Sequence, residues 1–488
     1  MAELVESDVV GVMILGKMEP FRKTKIVATL GPASSSEEMI RKLAVAGADV
    51  FRLNFSHGNH ETHRNNASII RKIEKEIDKP LAIMMDLQGP KIRIGVFEDG
   101  SISLKQGAKF ILDLKNDCGN SKRVTLPHPE IFSALIEGTE LLLDDGKIRL
   151  RVESNDGAAI TTEVIDGGVL SNKKGVNVPN AVLPITALTD KDKADVAIAC
   201  EIDADWVAIS FVQTANDIRY TRRFISPGIG VLAKIEKPSA IDVIDSILEV
   251  SDAIMVARGD LGVEMPYEAV PGIQKMLISK ARQHRKPVVV ATQMLESMIC
   301  CHVPTRAEVS DVACAVAEGA DAVMLSAESA SGNFPEDAVK TMAKVTLRAE
   351  VDALNFNQGI FNETTFAEAV KRAVVNDSVR FVVAFTETGR SAIEISNGRP
   401  GMLVVVLTPN TKTLHKLSLV NGVRAFLVDE VFSFARMVEV AQDTVIKNFN
   451  ATAGTKIAIV ASIPFKISDY TNLLYIHSID PQRRNDRT

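Results

Sequence analysis

Short apolar runs recur along most of the chain, each bounded by polar residues and followed by a segment with helical spacing. That alternation predicts strand–helix pairs. Residues 25–30 read as a strand and 36–46 as a helix, with Ser34 to Ser36 offering N-caps and Glu37 and Glu38 in the first turn. Residues 50–53 and 81–85 are the next strands, separated by a helix over 60–77. From 90 to 184 the pattern changes. Asp99-Gly100, Asp145-Gly146 and Asp166-Gly167-Gly168 stand between stretches of alternating apolar residues, the signal of hairpins, so a separate β-rich domain is expected. Alternation resumes near Leu188, with strands at 206–209, 230–233, 253–256, 287–291 and 322–325. Helical stretches at 191–201, 215–224, 240–248, 267–284 and 306–318 fall between them. Three strands before the insertion and five after make eight. The expected fold class is therefore α/β, a TIM (β/α)8 barrel interrupted after its third strand, with its chemistry at the carboxyl ends of the strands. Strands at 381–385, 403–407, 425–428 and 456–460 predict a second, open α/β sheet. The expected domains are an N-terminal segment 1–20, a barrel of 21–89 and 185–353, the β-rich insertion 90–184 and a C-terminal α/β domain 354–488.

The carboxyl ends of the barrel strands gather polar residues. The second strand ends in Arg52-Leu53-Asn54-Phe55-Ser56-His57, the third in Asp86, the fourth in Ser210 and the fifth in Lys234-Ile235-Glu236. The sixth ends in Ala257-Arg258-Gly259-Asp260, the seventh in Thr292, and the eighth in Ser326 and Glu328. A barrel built only for stability has no reason to collect these groups on one rim. Two carboxylates with open coordination positions suit a hard divalent cation such as Mg²⁺. A lysine beside them suits a phosphoryl group in transfer. The alternative at this point is a structural ion pair of Lys234 with Glu236.

Composition narrows the function classes. The 488 residues allow about three domains, and 46% hydrophobic content supplies several cores. A formal net charge of −6 argues against nucleic acid as the main partner. The apolar run at 9–15 is far short of the ~18 residues of a membrane span, and no other run is longer. Glu3, Glu6 and Asp8 stand where a signal peptide would be basic. Five irregularly spaced cysteines fit a reducing compartment, so a cytoplasmic chain is expected. Cys300-Cys301-His302 is read as reduced thiols, because adjacent cysteines chelate one ion poorly. Thr386-Glu387-Thr388-Gly389-Arg390-Ser391 is a hydroxyl- and Gly-bearing turn opening a helix; such turns bind anions or simply cap.

Six strings in order carry a family resemblance from about Thr24 to Leu474. They are Lys25-Ile26-Val27-Ala28-Thr29-Leu30-Gly31-Pro32, Arg52-Leu53-Asn54-Phe55-Ser56-His57-Gly58, Lys234-Ile235-Glu236, Met255-Val256-Ala257-Arg258-Gly259-Asp260-Leu261-Gly262, Ala291-Thr292-Gln293-Met294-Leu295-Glu296-Ser297-Met298 and Pro304-Thr305-Arg306-Ala307-Glu308. Together they resemble the pyruvate kinase family. The resemblance implies a barrel with an inserted lid and a C-terminal regulatory domain, a homotetramer, and phosphoryl transfer from phosphoenolpyruvate to ADP giving pyruvate and ATP. It implies Glu236 and Asp260 as ligands of Mg²⁺ or Mn²⁺, and Lys234 as stabiliser of the migrating phosphoryl group. Gly259, Asp260 and Thr292 would form the substrate carboxylate pocket, using free N–H groups at a helix N-terminus. Thr292 would lie near the site of enolate protonation, with Ser326 and Glu328 supporting a proton relay. Arg52 and Arg93 would clamp phosphate oxygens, and Asn54, Ser56, His57, Arg93 and Lys174 would contact the nucleotide. Asp145 would approach the nucleotide's metal, or serve only its hairpin turn; Lys173 reads as solvated surface.

The chain departs from the family's usual pattern at three places. Many members need K⁺, held by equivalents of Asn54, Ser56 and Asp86. They carry Glu where this chain has Lys91, and Thr where it has Leu87. The sequence thus resembles the potassium-independent type, in which the Lys91 ammonium would replace K⁺ beside Asp86. Ala327 stands where Gly is common, a mild change. Thr386, Thr388, Gly389, Arg390 and Ser391 resemble the phosphate loop of a sugar-phosphate effector site, but Glu387 opposes an anion, and residues 462–467 do not resemble the usual Gly-rich partner loop. A phosphorylated effector and an unregulated enzyme are both open. Two rival functions are a metal-dependent pyruvate aldolase, which would not need Arg93, Lys234 or a lid, and a non-catalytic relative, against which the intact Lys234, Glu236, Asp260 and Thr292 argue.

Overall fold

Eight parallel strands close into a barrel: β1 (Lys25–Leu30), β2 (Val50–Asn54), β3 (Ala82–Asp86), β4 (Trp206–Ile209), β5 (Gly230–Ile235), β6 (Ala253–Ala257), β7 (Val288–Ala291) and β8 (Ala322–Leu325). The structure is a computed structural model that describes residues 11–14, 17–179, 181, 183–356, 366–463 and 470–480. The strands are buried on both faces, by helices outside and by each other inside, so their sequences are continuous apolar runs. Alternation still decides which side chain points where. Ile26, Ala28, Phe51, Leu53, Ile83 and Met85 pack under the helices, while Val27, Val50, Met84, Trp206, Leu232 and Met255 fill the interior. Trp206 takes so much of that interior that its neighbour on β5 must be Gly230. A Cβ there would lie 2.5 Å from the indole ring.

Between β3 and β4 the chain leaves to build the β-rich lid. A six-stranded sheet runs in the order Val176–Asn177, Glu140–Leu143, Ile148–Asn155, Ala159–Asp166, Lys109–Asp113, Arg123–Thr125, beside a ribbon of Ser101–Leu104 and Gly168–Ser171. It has its own core, including Phe110, Leu112, Leu141, Leu150 and Ile160. The C-terminal sheet has five strands, β9 (Phe381–Phe385), β10 (Val404–Thr408), β11 (Val423–Leu427), β12 (Lys456–Ala461) and β13 (Leu473–Ser478), in the order β11-β10-β9-β12-β13. The expectation of four strands missed β13, which pairs antiparallel with β12 at the sheet edge. Its residues are half-buried or exposed and so lack the apolar run that marks its neighbours. The expected helix over 240–248 is two pieces, Pro238–Asp242 and Ile244–Val250, and that over 267–284 begins as a 3₁₀ turn, Tyr267–Ala269. Among the described residues no helix is long and apolar enough to cross a membrane. Cys300 and Cys301 are exposed free thiols, and the neighbouring His302 Nδ1 lies 3.3 Å from Asp337.

A buried charge cluster joins barrel and C-terminal domain. His415 Nε2 is 2.6 Å from Glu74 and its Nδ1 3.2 Å from Asp205, which Arg71 also holds at 2.6 Å. Burial disfavours the imidazolium, but Asp205 and Glu74 outweigh it and raise its pKa to about 9. The sign follows from linkage. The folded-state value lies above the ordinary 6.5, so the stabilisation is complete below about pH 6.5 and vanishes as pH rises through about 9. His415→Gln is therefore expected to lower stability by on the order of 3 kcal/mol at pH 6. Denaturant melts at several pH values should show the gap between variant and wild type closing above pH 9.

Candidate active site

The rim chemistry follows from strand parity. Val27, Val50, Met84, Ala208 and Leu232 point into the barrel, so two residues further on Thr29, Arg52, Asp86, Ser210 and Lys234 must point into its carboxyl mouth. They form one connected cluster. Lys234 Nζ lies 2.8 Å from Glu236 Oε1 and 3.3 Å from Asp86 Oδ1, and donates to Ser210 Oγ at 2.7 Å. Ser210 in turn donates to the Leu87 carbonyl at 2.7 Å, which fixes its lone pairs toward the ammonium. Asp86 also accepts from Arg52 Nε at 2.6 Å, and Arg52 Nη1 donates to Thr29 Oγ1 at 3.1 Å. Arg52 Nη2 makes no hydrogen bond among the described residues and remains for another anion. Glu236 is 1% exposed, and its Oε2 accepts from the Phe211 N–H at 2.8 Å.

The electrostatics show how tightly the amine is held. Burial lowers the affinity of Lys234 for its proton, but Asp86 and Glu236 outweigh burial and leave its pKa above the ordinary lysine value. It is a permanent cation. Asp86 is opposed by burial, yet Lys234 and Arg52 hold it below the usual carboxylate range. Glu236 goes the other way, raised by burial and, despite Lys234, by the charge of Asp260.

Asp260 stands in the first turn of the helix Arg258–Glu264, which starts directly at the end of β6. The loop after β7 meets that turn. Thr292 adopts φ 69°, and its Oγ1 accepts from the Gly259 N–H at 2.7 Å while donating to the Ala291 carbonyl at 2.6 Å. Arg258 braces the junction by donating to the Thr292 carbonyl at 2.6 Å and pairing with Asp311 at 2.6 Å. Glu236 and Asp260 are hard oxygen donors that follow directly on the adjacent strands β5 and β6. Among the described residues no cluster of three or more His, Cys, Asp or Glu forms a closed metal cage. Two protein carboxylates that leave positions for water and substrate oxygens fit Mg²⁺ or Mn²⁺.

Several expected contacts fall elsewhere. The Gly259 N–H is not free, because Thr292 occupies it. Glu328 is 2% exposed, and its oxygens accept from the Ser326 N–H at 2.7 Å and the Leu295 N–H at 3.2 Å, so it braces the loops after β7 and β8. Arg93 belongs to the lid, where Nη1 donates to the Lys173 carbonyl at 2.9 Å. Lys174 pairs with Asp144 at 2.7 Å in the Asp144-Asp145-Gly146 turn. Lys91 makes no ion pair with Asp86, whose cations are Arg52 and Lys234. The reason is the preceding turn. Gly89 has φ 68° and packs against Phe211, sending the chain out of the barrel so that Lys91 begins the lid and lies along Gly175. There it lines a narrow cleft with Asp145, Lys237 and Asp260. Asn54 Oδ1 accepts from the Ser56 N–H at 3.1 Å, and the His57 carbonyl bonds His63 Nε2 at 3.0 Å.

Sequence reading missed Thr29 as the seat of Arg52, although parity with Val27 signals it. It also missed Lys237 and Glu264, a buried ion pair that accepts Asn177 of the lid at 2.7 Å; nothing in the spacing of those residues signals it. In the C-terminal domain Gly389 takes φ 89° and donates to Thr386 Oγ1 at 3.0 Å, while Ser391 Oγ accepts from Thr471 at 2.7 Å. This turn, with Thr388 and Arg390, lines a cavity of about 220 Å³ that also holds Glu387, Asp429 and Glu430. Of the partner segment 462–467, residues 464–467 lie outside the described residues.

A family model described as pyruvate kinase, barrel domain, matches residues 21–339, and one described as pyruvate kinase, alpha/beta domain, matches residues 363–477. A pyruvate kinase of Methylorubrum extorquens is 46% identical over 94% of this chain and 98% of its own. One of Geobacillus stearothermophilus is 40% identical over 94% of this chain and 80% of its own. The crystal structure of a pyruvate kinase from Cryptosporidium parvum superposes with a TM-score of 0.87 at 32% identity, covering 94% of this chain and 96% of that one.

Proposed function

The chain belongs to the pyruvate kinase family, and from that premise we propose that it transfers the phosphoryl group of phosphoenolpyruvate to ADP at the Lys234–Glu236–Asp260 rim, giving pyruvate and ATP. The observation that carries this is the buried Lys234 ammonium set 2.8 Å from Glu236 and 3.3 Å from Asp86, at the mouth where the Asp260 helix begins. Glu236 and Asp260 would hold Mg²⁺ or Mn²⁺, which supplies charge neutralisation for substrate carboxylate and phosphate oxygens. Lys234 offers a fixed point charge to the equatorial oxygens while a β-phosphate oxygen of ADP attacks phosphorus and the bond to the enol oxygen breaks. Arg52, seated by Asp86 and Thr29, directs its remaining Nη2 at a phosphate oxygen. The enolate carbon then takes a proton in the pocket of Thr292, Gly259 and Asp260. Asn54, Ser56, His57, Arg93 and Lys174 serve the nucleotide. With Asn177 bonded to Glu264, the lid lies against the Asp260 helix and must lift for the nucleotide to enter. The domain limits 1–20, 21–89 with 185–353, 90–184 and 354–488, a homotetrameric assembly and a cytoplasmic location belong to the same proposal.

K⁺ independence is part of it. Lys91 places a tethered charge in the cleft that holds Asp145 and Asp260, where converging phosphates would need a cation. Turnover in K⁺-free buffer with tetramethylammonium should be near its value in KCl, and Lys91→Glu should create a K⁺ requirement. A several-fold rise of the wild type on adding KCl would reject it.

Regulation through the C-terminal turn is disfavoured by charge: among the described residues that line the cavity, Glu387, Asp429 and Glu430 outnumber the cation Arg390. Phosphorylated sugars and AMP are expected to leave the half-saturating phosphoenolpyruvate concentration unchanged. A several-fold drop with any of them would restore the effector reading.

A further inference from the structure

Two helices of the barrel's outer layer hold the short segment that leaves β2. Lys191, in the first turn of the helix Asp190–Glu201, donates through Nζ to the Phe55 carbonyl at 2.7 Å. The same ammonium pairs with Asp195 Oδ2 at 2.7 Å, one turn further along. Asp195 is buried, and its other oxygen lies 2.7 Å from Nε2 of His60, the residue that opens the helix His60–Ile77. From that helix His63 Nε2 meets the His57 carbonyl at 3.0 Å, and its ring stacks on Phe55 with 4.0 Å between centres. A carbonyl only accepts, so His63 carries a proton on Nε2. Burial pushes its pKa below the ordinary value, which keeps the ring neutral.

The same segment is tied to the rim from its other backbone group. The Phe55 N–H donates to the Asp86 carbonyl at 2.9 Å, so Phe55 is fixed by β3 through its amide and by Lys191 through its carbonyl. Next to Lys191, Asp192 Oδ1 accepts from the Gly89 N–H at 3.1 Å. One helical turn therefore holds both the exit of β2 and the turn by which the chain enters the lid. Stability alone does not account for the lysine. Its side chain is 51% exposed, and solvent screens such pairs until they are worth little. What the ammonium supplies is a donor shared by two oxygens. Without it the Phe55 carbonyl and the Asp195 carboxylate are neighbouring acceptors that repel, and the segment is released.

We propose that Lys191, seated by Asp195, is a positioning residue for the nucleotide: it holds the Phe55 carbonyl so that Asn54, Ser56 and His57 meet ADP in one fixed arrangement. This rests on the reading that those three residues serve the nucleotide. Arg52 is insulated from the change. It lies within the sheet in register with Met84 of β3, and Asp86 and Thr29 hold its guanidinium. The effect therefore falls on ADP and spares phosphoenolpyruvate.

The test is steady-state kinetics with each substrate varied in turn, together with thermal melts. Lys191→Met should raise the half-saturating ADP concentration roughly tenfold, since small misplacements of binding groups cost up to about 100-fold. Its kcat and its half-saturating phosphoenolpyruvate concentration should stay within about threefold of wild type. Lys191→Arg, which keeps a donor for both oxygens, should recover most of the ADP affinity. Asp195→Asn should weaken ADP in the same way and add little when combined with Lys191→Met, because the two act as one unit. Should the buried Asp195 variant fail to fold, the two Lys191 variants decide alone. Unchanged ADP saturation in Lys191→Met, or an equal rise for both substrates, overturns the proposal while the rim chemistry stands. A wild-type protein that makes no ATP from phosphoenolpyruvate and ADP overturns the rim reading and this inference with it.

Discussion

Replacing Lys234 by Met is expected to lower ATP formation from phosphoenolpyruvate and ADP by at least about 10³-fold. Phosphoenolpyruvate binding that depends on Mg²⁺ should stay within a few-fold of wild type. The contrast follows from what the ammonium touches. Asp86, Glu236 and Ser210 fix it at 3.3, 2.8 and 2.7 Å, so its charge is in place before reaction and costs no reorganisation as negative charge spreads over the phosphoryl oxygens. The carboxylates that would hold the divalent ion are untouched, and Glu236 loses only its competing partner. Met fills the volume but leaves Asp86 and Glu236 buried with less counter-charge, an effect of roughly 3–5 kcal/mol for breaking a buried pair. A melt of the variant therefore belongs beside the kinetics, read with and without Mg²⁺. Steady-state turnover within tenfold of wild type would remove Lys234 from the chemistry.

The second large effect concerns the cation. Glu236→Gln is expected to weaken Mn²⁺ binding by roughly 100-fold or more, since even outer-shell partners of a metal ligand are worth about 10–100-fold. The substitution is nearly isosteric. Its side-chain oxygen can still accept from the Phe211 N–H, so a loss of affinity reports the missing charge and not a collapsed loop. Asp260 would remain as the proposed carboxylate ligand. Titration of Mn²⁺ by its paramagnetic resonance signal gives the affinity directly, and an unchanged constant would place the ion elsewhere.

Much of this architecture was legible because burial writes itself into sequence. All eight barrel strands are apolar runs enclosed on both faces, and the runs and the polar residues ending seven of them could be read together. The same logic failed at β13, where Leu473, Tyr475 and His477 lie along a sheet edge and no enclosed face demands an apolar run. The site divided along a similar line. Residues on strand ends, Arg52, Asp86, Lys234 and Glu236, meet because parity and parallel register bring them to one mouth. Residues on loops and on the lid do not obey that rule. Arg93, Lys174 and Lys91 take positions set by the Gly89 turn and the lid's own sheet, which no spacing in the sequence encodes. Glu328 was legible as a rim carboxylate but not as a brace. Its use by the amides of Leu295 and Ser326 depends on how two loops fold toward each other.

The proposed chemistry needs one divalent ion held by Glu236 and Asp260 at the ends of the fifth and sixth strands, beside the Lys234 amine. The most direct measurement is the anomalous scattering of Mn²⁺ in crystals soaked with phosphoenolpyruvate. The expected map has a single peak about 2.1 Å from one oxygen each of Glu236 and Asp260, with the substrate phosphate against Lys234. A peak bound by neither carboxylate, or by one of them with the phosphate turned away from Lys234, would contradict it.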